Sequence, residues 1–113
     1  MTAGTSENFP TGQIATKLLF ENDNCRIWLM DLAPGESTDW HVHESDYVFV
    51  VTESAAPVEC EFVSGRKVEI QNDKVGDFFY KAADPGHRLV NHGTSHYQNV
   101  VIELLNRKDS MDN

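Results

Sequence analysis

The sequence predicts an all-β domain of antiparallel strands, and three observations carry that expectation. Short runs of β-branched, aromatic and aliphatic residues recur along the chain. Turn-forming residues separate them at intervals of about eight to twelve residues. No stretch holds a helical period.

The expected strands are Lys17 to Phe20, Arg26 to Leu32, Thr38 to His43, Tyr47 to Thr52, Val58 to Val63, Lys67 to Gln71, Asp77 to Tyr80, His87 to Asn91 and Tyr97 to Leu104. Their separators have turn chemistry: Glu21-Asn22-Asp23-Asn24, Ala33-Pro34-Gly35, Ser64-Gly65, Asn72-Asp73, Asp84-Pro85-Gly86 and Asn91-His92-Gly93. So many strands in so short a chain call for a sandwich or barrel, since doubling or closing the sheet removes exposed edges.

A length of 113 residues fits one domain with one core, spanning residues 1–113. Residues 1–12 and 107–113 lack an apolar stripe and are expected to be flexible. Apolar residues make up 40% and charged residues 24%, the balance of a globular domain rather than a disordered one. The formal charge of −9 repels phosphate backbones and anionic headgroups, which argues against nucleic acid and membrane partners. No signal peptide or spanning helix is read, so the expected compartment is cytoplasmic. Cys25 and Cys60 lack C-x-x-C spacing and read as small, partly buried side chains rather than a disulfide.

His41-Val42-His43 is the densest chemical signal. Alternate side chains of a strand share a face, so an H-x-H pair aims two imidazoles into one space, where they can share an ion. The same pair on a solvated strand would be two ordinary surface histidines. The surrounding spacing separates these readings. Five residues lie between Gly35 and His41; Gly76 opens a later strand, His87 follows eleven residues on, and Asn91 four beyond.

This two-part spacing resembles the cupin signature. The first cupin motif, G-x5-H-x-H-x3,4-E-x6-G, is met by Gly35, His41 and His43; Tyr47 or Val48 stands where its Glu belongs, and Ser54 where its last Gly would fall. The second, G-x5-P-x-G-x2-H-x3-N, is met by Gly76, His87 and Asn91, with Ala82 and Asp84 in place of its Pro and Gly. The resemblance covers about Arg26 to Leu104 and implies an antiparallel double-stranded β-helix, the jelly-roll barrel. It implies one divalent metal ion on His41, His43 and His87.

The missing glutamate alters what the resemblance implies. Strand parity puts Tyr47 and Phe49 on the face of the histidine pair and Asp46 on the other, so no carboxylate takes the vacant place; Glu44 would reach it only through a bulge. A shell of three neutral imidazoles leaves the ion its full charge and open positions, which suits a small anionic substrate. Three-histidine cupins are similar to iron dioxygenases of thiols and diketones. The implied activity is therefore an Fe(II) dioxygenase acting on a small carboxylate, thiol or diketone-like compound, with Zn, Ni, Mn or Cu able to occupy the same nitrogens. A non-redox lyase or isomerase and a non-catalytic binding cupin stay open. A homodimer is the family's usual assembly.

Around this centre, Tyr47 is the candidate catalytic residue, to hydrogen-bond an anion or pass a proton, or else a core aromatic. Arg26 is a candidate carboxylate clamp, or else an exposed charge, and Phe49 a candidate substrate contact. Asn91 is expected to tie down the turn after the His87 strand. Trp28, Trp40, Phe62, Phe78, Phe79 and Tyr97 are candidate walls. His92 and His96 fall beside Gly93 and read as surface histidines. No nucleophile motif, P-loop or dinucleotide fingerprint occurs.

Overall fold

The structure, a computed structural model, describes residues 14–55, 57–70 and 73–105. Both expected flexible ends, residues 1–12 and 107–113, lie wholly outside the described residues, as do Gln71 and Asn72. Among the described residues nine strands run in chain order: β1 (Lys17–Glu21), β2 (Cys25–Leu32), β3 (His41–His43), β4 (Tyr47–Glu53), β5 (Val58–Phe62), β6 (Lys67–Ile70), β7 (Phe78–Lys81), β8 (Asp84–Asn91) and β9 (Tyr97–Leu104). No helix occurs among the described residues.

The strands form two antiparallel sheets, ordered β1-β2-β9-β4-β7 and β3-β8-β5-β6. The core lies between them. Alternation is cleanest in β9, where Tyr97, Asn99, Val101 and Glu103 are buried and the residues between them are not. Trp28, Met30, Leu32, Val51, Val58, Tyr97 and Val101, with Ile14, Ala15 and Tyr47, form the buried apolar core among the described residues, the larger side chains each contributing roughly 1.5–3 kcal/mol by leaving water.

The structure differs from the sequence expectation in two places, both beside the histidines. Asp84-Pro85-Gly86 is not a turn. These residues belong to β8, and the reversal occurs earlier, at Ala82-Ala83. His41 pairs with His87, but His43 pairs with Asp84, so one residue of β3 faces two of β8. That is a β-bulge, and Gly86 takes the φ of 139° there, a conformation open to glycine and strained for other residues.

The strand expected from Thr38 begins only at His41. Here the Thr38 hydroxyl, rather than a carbonyl, accepts the Leu89 N–H at 3.0 Å. The Thr38 N–H still donates to the Leu89 carbonyl at 2.9 Å and Ser37 bridges Val90, so pairing with β8 continues past β3 as isolated contacts rather than a regular ladder. The preceding turn is as expected: Glu36 N–H donates to Ala33 C=O at 2.9 Å, with Gly35 at φ 87° in the position that a type II turn reserves for it.

Candidate metal centre

His41 and His43 point inward from β3 because two-residue spacing returns a strand to the same face, and β8 brings His87 opposite His41. All three are buried, at 0%, 3% and 8% exposure. Their ring centroids lie 4.6 Å (His41 to His87), 4.9 Å (His41 to His43) and 5.1 Å (His43 to His87) apart. One nitrogen from each ring falls within 4.8 Å of the others. Three imidazole donors converging in a dry corner are the donor set of a divalent transition metal.

The donor chemistry fits such an ion. His41 Nδ1 lies 2.8 Å from the Asp39 carbonyl, which can only accept. Nδ1 therefore carries the proton, and Nε2 keeps the lone pair that a metal takes. His43 is packed face to face by Tyr47, with centroids 3.7 Å apart and planes 15° from parallel. Phe62 meets His87 edge-on at 5.7 Å.

The centre opens on a cavity of about 560 Å³. His43 and His87 form part of its wall, together with Tyr47, Phe49, Phe62, Phe79 and Tyr97. Phe49 packs on Phe79 at 5.0 Å. The charged lining residues are Arg66, Asp73 and Lys81; the Arg66 guanidinium lies 5.0 Å from the Phe62 ring centroid. Burial pushes the Tyr97 phenol up to about 12, with the Asn99 hydrogen bond acting the other way, so Tyr97 stays a neutral hydroxyl. Asn99 Nδ2 donates to Tyr97 Oη at 2.9 Å, while its buried Oδ1 has no partner among the described residues.

The other expected residues fall as follows. Tyr47 and Phe49 line the cavity. Arg26 does not; its Nε pairs with Glu21 and its Nη1 with Glu103, each at 3.1 Å. Asn91 is fully buried and ties Leu32, Gly93 and Ser95 together. Of the candidate walls, Trp28 is core, Trp40 lies under Arg88, and Phe78 is 72% exposed. Glu44 is exposed, and Asp46 accepts the Tyr80 hydroxyl at 2.7 Å. His92 and His96 are exposed; His92 joins Glu59 and Glu61 in a second, more open group. Among the described residues there is no disulfide.

Sequence reasoning missed Glu103. It is 3% exposed, and its Oε2 lies 3.8 Å from His43 Nδ1. The signal was present in the alternation of β9, where Glu103 continues the inward series from Tyr97.

No family model matches the sequence, and no curated protein matches it. Solved structures do. A cupin domain from Bordetella pertussis is 23% identical, with a TM-score of 0.68, covering 84% of this chain and 100% of its own. A sugar phosphate isomerase of the cupin superfamily from Silicibacter pomeroyi is 24% identical, with a TM-score of 0.53 over 74% of this chain and 52% of its own. The polyketide cyclase RemF from Streptomyces resistomycificus is 20% identical, with a TM-score of 0.56 over 76% of this chain and 58% of its own. No described helix is long and apolar enough to cross a membrane. Two antiparallel sheets around a three-histidine corner, superposable on cupin domains, establish that the chain has the cupin fold, the double-stranded β-helix.

Proposed function

We propose that this protein is a metal-dependent enzyme, an Fe(II) dioxygenase acting on a small anionic compound with an apolar body. The observation that carries the reading is the meeting of three convergent imidazoles with an aromatic-walled cavity. Held by His41, His43 and His87, a divalent ion would supply Lewis acidity and, as iron(II), electrons for reaction with dioxygen.

The chain's own residues supply the rest. Phe49, Phe62 and Phe79 exclude water from the substrate's apolar part. Arg66 and Lys81 draw an anion into the cavity against the field of an acidic chain. Tyr47, stacked on His43, is the residue to hydrogen-bond the anion or move a proton beside the centre. Asn99 Oδ1 suits a donor group on the substrate.

A second reading, a non-redox isomerase or lyase, draws support from an isomerase and a cyclase among the structures that share the fold. The test is metal analysis of protein purified without added metal, then reconstitution with Fe(II) under argon and oxygen-electrode assays against carboxylates, thiols and diketones. Fe(II)-dependent oxygen uptake is expected, and it should vanish in His41→Ala and His87→Ala along with stoichiometric metal. Full metal retention in both variants would refute the site; anaerobic turnover with Zn or Ni would leave the second reading in its place.

We also propose a homodimer formed through the outer face of the five-stranded sheet. Strand register places Ile27, Leu29, Val48, Val50, Val100 and Ile102 on that face, with Phe78 and Tyr80 at its margin. Two chains of charge −9 can approach there without opposing like charges.

A further inference from the structure

Glu103 of β9 stands opposite Arg26 of β2 on one side and Tyr47 of β4 on the other. Residues directly opposite in antiparallel strands share a face, so these three form one inward row. The row ends at the metal corner: Tyr47 stacks on His43, and Glu103 Oε2 lies 3.8 Å from His43 Nδ1.

The carboxylate is held from behind. Its Oε1 accepts the Trp28 indole N–H at 2.9 Å and Arg26 Nη1 at 3.1 Å. Arg26 is itself fixed through Nε by Glu21. A buried carboxylate is costly unless paired and hydrogen-bonded, and this set of donors meets that cost through one oxygen. The second oxygen is the one directed at His43. Glu103 lies outside the group whose donor atoms all fall within 4.8 Å, which contains only the three histidines. Its place is therefore behind a ligand rather than among the ligands.

We propose that Glu103 is a positioning residue of the metal centre: anchored by Trp28 and Arg26, it orients the His43 imidazole and supplies from outside the ligand set the negative charge that Tyr47 does not. Carboxylates behind ligating histidines fix ring orientation and raise ligand basicity, and losing one typically weakens metal binding about 10–100-fold. The proposal rests on the three-histidine reading and adds a residue to it.

The test is competition of Co(II) and Zn(II) against a chromogenic chelator, together with the visible spectrum of the Co(II) form, for the parent, Glu103→Gln and Trp28→Phe. Glu103→Gln keeps size and an acceptor while removing charge. It should weaken both metals about 10–100-fold and alter the Co(II) spectrum. Trp28→Phe removes one anchor and should give a smaller loss in the same direction. If Glu103 only stabilises the fold, Glu103→Gln will lower the melting temperature of the metal-free protein and leave affinity and spectrum at parental values, which overturns the proposal. Should Glu103→Gln not fold, parental affinity in Trp28→Phe overturns it instead. A parent that binds neither metal removes the three-histidine reading and this proposal with it.

Discussion

Asn91 sits four residues beyond His87, has no exposed surface, and uses its whole amide. Nδ2 donates to the carbonyls of Leu32 and Ser95, both at 2.9 Å, and Oδ1 accepts the Gly93 N–H at 2.8 Å. Its backbone carbonyl also accepts the Gly35 N–H at 2.8 Å, so both turns flanking the histidine strands meet at this residue. In Asn91→Ala the bond to Leu32 is lost where water has no access, costing roughly 1–3 kcal/mol, and the two part-buried bonds add about 0.5–1.5 kcal/mol each before water recovers some of it. The sum is about 2–6 kcal/mol, and with water recovering part of the two outer bonds about 2–4 kcal/mol remains, a fall in melting temperature on the order of 10–20 °C for a domain of this size. Asn91→Asp should be worse than alanine, because it sets a carboxylate against two carbonyl oxygens. Urea titration followed by tryptophan fluorescence, with thermal melts alongside, measures both variants. A cost below about 1 kcal/mol for alanine, or an aspartate variant as stable as the parent, would show that this hydrogen-bond set is not what holds the turns.

Tyr97 makes the protein sensitive to alkali. Burial lifts its folded-state value to about 12, above an unfolded value of about 10. The linked stability is present below pH ~10 and disappears as pH rises towards 12, a loss of up to ~2–3 kcal/mol that Tyr97→Phe should largely flatten; equal alkaline destabilisation of parent and variant would sink the idea. For the sheet face, Val50→Lys places a charge at the centre of the proposed dimer contact and should convert a dimer to monomer in sedimentation analysis. A monomeric parent disproves the interface.

Legibility in the sequence followed a physical divide. The strands could be read because alternation and turn residues are local signals, and the histidine corner because a two-residue spacing fixes which way two rings point. Asp84-Pro85-Gly86 could not be resolved, since a glycine beside a proline marks a bulge as well as a turn, and only pairing with β3 decides between them. Glu103 and its pairing with Arg26 were hidden for a related reason. A charge near a strand end reads as surface until its partner is known, and these two meet only when β2 and β9 pair across the length of the chain. Arg26 then faces inward, as a substrate clamp would, but meets a carboxylate of its own chain.

The bulge at Pro85 and Gly86 also bears on how the chain folds. Side chains alternate along a strand, so a slip of β8 by one residue would turn His87 outward and bring Arg88 in. His41 and His43 lie on one short strand and come together early; His87 joins them only after distant segments have paired in the correct register. A metal ion that needs all three nitrogens therefore binds the finished register and rejects the slipped one. By mass action such an ion would draw folding chains towards the correct pairing, so that metal supply during synthesis would raise the yield of folded protein.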